Sequence, residues 1–192
     1  MKNLVSRGFA VKYFPTKEEA SDYLTGKIRD TTVGIGGSLT IQQLDIYERL
    51  CEHNKVYWHA VEKTDEITHS ATNAEVYLTS ANGVAETGEI INIDGRGNRV
   101  AGTLYNKKAV YIIIGINKIA ENYEKALWRA RNIASPKNAQ RLGKNTPCAK
   151  KADKCYDCSS ADRICRGLVV LWEKPTSIQN AEVVIIGENL GF

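Results

Sequence analysis

The sequence predicts an α/β domain built on a largely parallel sheet and carrying a Cys-rich loop. Three observations carry that reading. Short β-like runs alternate with helical stretches from the start of the chain. The apolar run Ala109-Val-Tyr-Ile-Ile-Ile-Gly115 is what a strand buried on both faces requires. Four of the five cysteines fall within the eighteen residues from Cys148 to Cys165, bracketed by strand-like segments.

Taken in order, Ala10–Phe14 reads as a strand, and Thr16 then caps a helix through Lys27, because Glu19 three residues on completes a capping box. Thr31–Gly36 is a second strand running into glycines. Ile41, Leu44, Tyr47 and Leu50 or Cys51 recur at helical spacing, which predicts one helix from Ile41 to about His53 with Cys51 as a small buried hydrophobe. Val56–Trp58 and Ala74–Thr79 read as strands separated by a short helix or loop. Glu89–Ile93 and Arg99–Leu104 flank the Gly-rich Asp94-Gly-Arg-Gly-Asn98, a hairpin signal. Ala109–Gly115 follows as a strand. Glu121 to about Gln140 is the longest helix candidate, with Pro136 predicting a stop or bend before it. Leu168–Trp172 and Glu182–Ile186 resume the strand pattern, so residues 144–166 read as an excursion within one domain, 1–192, and not as a separate module.

Length and composition narrow the function classes. A chain of 192 residues with 43% hydrophobic and 25% charged residues buries one substantial core. The formal charge of +4, from 26 basic against 22 acidic residues, is too small an excess to argue a nucleic-acid partner. The N-terminal stretch lacks the apolar core of a secretory signal, and no apolar run approaches the roughly 20 residues that cross a bilayer, so no membrane partner and a cytoplasmic location are expected. In that reducing compartment, clustered cysteines point to metal or redox chemistry before disulfides.

The cluster has the spacing C-x6-C-x2-C-x6-C. The central CxxC turn sets Cys155 and Cys158 side by side, and loops of six residues are long enough to return Cys148 and Cys165 to the same point. Four convergent thiolates suit either a tetrahedral zinc or an iron–sulfur cluster, and spacing does not decide between them. Lys144, Lys150, Lys151, Lys154, Arg163 and Arg166 surround the thiols and would favour thiolates. Free thiols or reversible disulfides are the alternative.

Two polar turns follow strands. Gly34-Ile-Gly36-Gly37-Ser38-Leu-Thr40 marks a strand-to-helix turn, where glycines admit close approach of a ligand and Ser38 and Thr40 add hydroxyls; phosphate or carboxylate is the inferred ligand class. Such turns also need glycine for steric reasons alone. Ser80-Ala-Asn82-Gly-Val-Ala-Glu86-Thr87-Gly88 is the second turn, at the same carboxyl edge if the sheet is parallel. Ser80, Asn82, Thr87 and Gly88 join the candidate anion site, and Glu86 is the candidate general base or nucleophile, against the plain alternative of a capping or ion-paired carboxylate. His53, His59 and His69 show no metal spacing, and Arg129 and Arg131 read first as a solvated helix face.

VGIGGSLT, TSANGVAETGEIINIDGRGNRVAG, WRARNIASPKNAQRLG and TPCAKKADKCYDCSSADRIC together resemble the lactate utilization (LUD, formerly DUF162) family, in particular its short cysteine-bearing members. The resemblance implies a fold similar to the NagB/RpiA/CoA-transferase group, with helices on both faces of the sheet. It also implies an association with oxidation of L-lactate to pyruvate beside iron–sulfur electron-transfer subunits. Ferredoxin-type CxxCxxCxxxCP runs are lacking, so a complete lactate dehydrogenase is not implied. The expectation is a protein supporting lactate or related 2-hydroxy-acid metabolism, with a small anionic metabolite in its pocket and zinc or an iron–sulfur cluster at Cys148, Cys155, Cys158 and Cys165. A homodimer is expected from the commonness of twofold assemblies. Two alternatives are a stand-alone isomerase or CoA/acyl transferase using Glu86 with a structural metal, and a metal- or redox-responsive regulator.

Overall fold

A computed structural model describes all residues, 1–192. The elements run α1 (Lys2–Ser6), β1 (Ala10–Phe14), α2 (Lys17–Lys27), β2 (Thr32–Ile35), α3 (Leu39–Leu44), α4 (Tyr47–Cys51), β3 (Lys55–Trp58), α5 (Asp65–Asn73), β4 (Val76–Thr79), β5 (Gly83–Ala85), β6 (Ile90–Asp94), α6 (Asn98–Leu104) and β7 (Lys107–Gly115). Then follow a 3-10 turn (Ile116–Lys118), β8 (Ile119–Ala120), α7 (Tyr123–Arg129), a π-helical stretch (Ala130–Ala134), α8 (Ser135–Arg141), α9 (Pro147–Lys151), β9 (Gly167–Leu171) and β10 (Ile178–Ile186).

Six strands form one parallel sheet in the order β1-β10-β7-β4-β2-β3. Its strands are apolar on both faces, and alternate residues divide between two cores. Val33, Ile35, Val76, Leu78, Tyr111 and Ile113 pack against Leu24 of α2, Ile41 and Leu44 of α3, and Leu50 of α4. Tyr77, Val110, Ile112, Ile114, Val183 and Ile185 face the other way, onto Leu4, Val84, Ile90 and Leu171. Much of that second face is therefore covered by a second sheet of order β8-β5-β6-β9, with Ala126 of α7 and Ala130 of the π-helical stretch laid on its far side. The α/β expectation holds; helices share one face with strands.

Three local expectations are corrected. The Ile41–His53 helix is broken at Asp45, whose φ of 51° ends α3; the break turns Ile46 into the core, where a continuous helix would have left it off the apolar stripe. Leu50 takes the core position, and Cys51 is exposed. Arg99–Leu104 is helix α6, not the return strand of a hairpin: Asp94 accepts from the Gly97 and Val100 amides, both at 3.2 Å, and so caps the helix entrance, while Gly97 takes a φ of 83°. Of the stop or bend expected before Pro136, the stop does not occur. The π stretch widens the preceding turn, and Ser135 Oγ donates to the Ala130 carbonyl at 2.9 Å, so the path continues into α8. The Thr16 cap stands as expected, with its side chain accepting from the Glu19 amide. No helix is long and apolar enough to cross a membrane.

Candidate functional site

In a parallel sheet all strand carboxyl ends open on one edge, and here that edge borders a cavity of about 480 Å³. β2 delivers Gly37 and Ser38, β3 delivers His59, β4 delivers Ser80 and Asn82, and the turn after β7 delivers Lys118. α6 adds Arg99, α8 adds Asn138 and Arg141, and the Cys-rich segment closes one wall with Asp162, Arg163 and Ile164.

Lys118 is the central group. Its side chain is 5% exposed, and Nζ donates to Thr40 Oγ1 at 2.8 Å and to Ser80 Oγ at 2.9 Å. It makes no ion pair. Burial, then the Arg129 and Arg99 guanidiniums, push its pKa down to about 7. Ser80 Oγ in turn donates to Thr40 Oγ1 at 3.3 Å, and Thr40 Oγ1 donates to the Leu190 carbonyl at 3.4 Å.

Arg99 and Arg129 frame this cluster. Arg99 Nη2 donates to the Ile93 carbonyl at 2.6 Å and to Asn82 Oδ1 at 3.1 Å, and its Nε lies 3.7 Å from Asp94 Oδ2. Burial lowers its pKa, opposed by Asp94 and Tyr77. Arg129 donates to the Asn117 carbonyl at 2.7 Å and to the Asn82 carbonyl at 2.6 Å, tying the ends of β7 and β4 together. Burial pushes its pKa down too. Around the cavity stand Arg96, Arg99, Lys118, Arg141, Lys144, Arg163 and Arg166, against only Asp94 and Asp162. His59 Nδ1 is buried without a partner, and burial and then Arg96 hold the imidazole below its ordinary pKa.

The predicted anion-site residues divide. Thr40 and Ser80 meet at Lys118, and Asn82, Gly37 and Ser38 line the cavity, although the Ser38 hydroxyl already caps α3 by accepting from the Ile41 amide at 3.3 Å. Asn82 Oδ1 is committed to the Ile93 amide at 2.8 Å and to Arg99. Gly34 serves packing: a Cβ there would overlap the Ala71 carbonyl of α5. At Gly36 a Cβ would press on Arg99 Cγ and the Tyr77 hydroxyl, each at 3.0 Å, so this glycine admits the arginine to the site. Thr87 and Gly88 lie elsewhere, in a network where Arg7 binds the Thr87 carbonyl at 2.8 Å and Glu89 at 2.6 Å, and Thr87 donates to Glu89. Glu86 is exposed beside a different, largely apolar hollow near Leu4, Tyr13 and Ile119, and does not border the Lys118 cavity.

The four clustered cysteines do not form the expected centre in this arrangement. No group of three or more His, Cys, Asp or Glu side chains is placed to hold a metal ion. The segment is anchored by polypeptide contacts instead. Arg163 donates to the Cys158 carbonyl at 2.7 Å, the Cys165 carbonyl at 2.9 Å and Asp157 at 3.2 Å. Asn132 Oδ1 accepts from the Cys155 amide at 3.1 Å, and Cys148 Sγ sits 3.3 Å from the Thr146 hydroxyl. Arg131, exposed, reaches Asp157 at 3.4 Å. As placed, the thiols fit neither zinc nor an iron–sulfur cluster.

The sequence reading passes over Lys118 and Arg99, sets His59 aside for want of metal spacing, and takes Arg129 for a surface residue. A usable signal existed for Lys118: it follows the apolar strand β7 at the same carboxyl edge that makes the Ser80 turn a candidate.

Comparison with known proteins agrees with this architecture. A solved crystal structure of a DUF162 family protein from Deinococcus radiodurans matches with a TM-score of 0.55 at 14% identity, covering 97% of this chain and 93% of that chain. That likeness shows the fold. No curated protein matches the chain. The model of the LUD domain matches residues 1–186, nearly the whole length, and the chain therefore belongs to the LUD domain family.

Proposed function

We propose that the carboxyl-edge cavity binds a small carboxylate of the 2-hydroxy- or 2-oxo-acid class, and that the chain serves lactate or related 2-hydroxy-acid metabolism. The observation that carries this reading is Lys118: a buried amine with no carboxylate partner, in a cavity whose lining is strongly basic. Burying a cation without its counter-charge is costly, and such groups concentrate at functional sites. A bound carboxylate supplies the missing charge and raises the Lys118 pKa, so ligand binding and protonation favour each other. The hydroxyls of Thr40 and Ser80 hold the amine in place. Family membership supports the choice of lactate chemistry over other anions. Oxidation of a 2-hydroxy acid needs an electron acceptor, a role for which separate iron–sulfur subunits are the partners proposed.

Calorimetric titration of the purified protein with L-lactate, pyruvate, acetate and inorganic phosphate tests the ligand class. Saturable binding of L-lactate or pyruvate, tighter than acetate, is expected. Phosphate as the sole ligand would replace the carboxylate reading with a phosphorylated substrate.

A further inference from the structure

We infer that Lys118 forms an imine with the carbonyl carbon of a 2-oxo acid held in the cavity; the inference rests on the carboxylate reading above and assigns Lys118 a covalent role within it. The polarity of the hydrogen bonds points there. Thr40 Oγ1 spends its proton on the Leu190 carbonyl, and Ser80 Oγ spends its proton on Thr40 Oγ1. Both oxygens therefore turn lone pairs toward Nζ, which donates to each. A neutral amine has two N–H bonds. With both directed at these hydroxyls, the remaining tetrahedral position on Nζ is the lone pair that a nucleophile needs.

The surroundings favour the neutral form. No carboxylate is close enough to hold the ammonium, and two guanidiniums, Arg99 and Arg129, repel it; the depressed pKa of about 7 agrees with that geometry. The same guanidiniums contribute positive field for the ligand's carboxylate while the adjacent carbonyl meets the amine.

The step balances without a redox partner. Nζ forms a bond to the carbonyl carbon, and the π electron pair moves to the carbonyl oxygen. A proton leaves nitrogen for that oxygen, giving the neutral carbinolamine. The carbinolamine then expels water as the C=N bond forms, and hydrolysis reverses the sequence. L-lactate, which has no carbonyl, binds without this step.

The test is reductive trapping. The protein is incubated with pyruvate and sodium borohydride, which delivers hydride to the C=N carbon and fixes it as a secondary amine, and adducts are then mapped by peptide mass spectrometry. One adduct is expected, on Lys118, absent from Lys118→Arg and suppressed in wild type by excess L-lactate. The lactate competition reads the site even if the Lys118→Arg chain fails to fold. Pyruvate binding by calorimetry with no adduct on Lys118, or with adducts spread over surface lysines, overturns the imine and leaves the binding site standing. Absence of any binding by pyruvate or L-lactate overturns the carboxylate reading, and the imine with it.

Discussion

Lys118 Nζ lies 2.9 Å from Ser80 Oγ, a contact that joins the ends of two neighbouring strands, β7 and β4, at the carboxyl edge of the sheet. Chain segments 38 residues apart meet there around a buried amine with no counter-ion. Such an arrangement costs folding free energy and has a use only if something arrives to complete it.

That cost is measurable. Native Lys118 loses its proton at about 7, whereas the unfolded side chain does so near its ordinary value of 10.5. Between those values the unfolded chain binds a proton that the native one has released, so this group's contribution to stability rises with pH across that window, and its penalty is complete below it. Lys118→Met removes the penalty. At pH 7 the variant is expected to melt higher, by about 2–4 °C for each kcal/mol recovered in a domain of this size. Differential scanning calorimetry checks it, and a lower midpoint would show that the amine stabilises the fold.

Ligand binding should run the opposite way with pH. Above pH 7 Lys118 loses its charge, while Arg99 and Arg129 keep theirs, and His59, held below its ordinary value, is already neutral. L-lactate affinity is expected to fall by about threefold to tenfold between pH 6 and pH 8.5, the scale of one screened charge interaction in a partly buried site. Borohydride trapping of pyruvate should instead quicken over the same range. Calorimetry and mass spectrometry at stepped pH values separate the two trends.

Gly34 and Glu86 provide contrasting controls. Gly34→Ala forces a methyl group into the Ala71 carbonyl and is expected to lower stability by about 1–3 kcal/mol in urea denaturation, without changing affinity in the folded fraction. Glu86→Gln alters an exposed carboxylate outside the cavity, so L-lactate affinity should stay within about twofold of wild type, in line with surface substitutions generally.

The Cys-rich wall can be loosened at one residue. Arg163 anchors the carbonyls of Cys158 and Cys165 and the Asp157 carboxylate. Arg163→Ala should speed amide exchange in residues 157–166 and weaken L-lactate binding, because the segment closes one side of the cavity. Faster exchange with unchanged affinity would separate the segment from the site.

The sheet was legible because its strands are short apolar runs between helical stretches, and the Ser80 turn was legible because a parallel sheet collects ligands at one edge. What escaped was decided by contacts distant in sequence. The Asp94–Gly97 turn looks like a hairpin until its carboxylate is seen capping α6. Arg129 looks like a surface residue until its guanidinium is found bound to carbonyls of Asn82 and Asn117. Glu86 looks chemical by residue type, but it sits in the exposed turn that follows β5. Lys118 carries no local motif; its meaning comes from Thr40, Ser80 and the two arginines that the fold assembles around it.

The most direct test is calorimetric titration of L-lactate and pyruvate into wild type and Lys118→Met at pH 6.5, where the native amine is largely charged. Saturable binding to wild type and its loss in the folded, more stable variant is the predicted result. Equal binding by both proteins would contradict the assignment of this cavity as the carboxylate site.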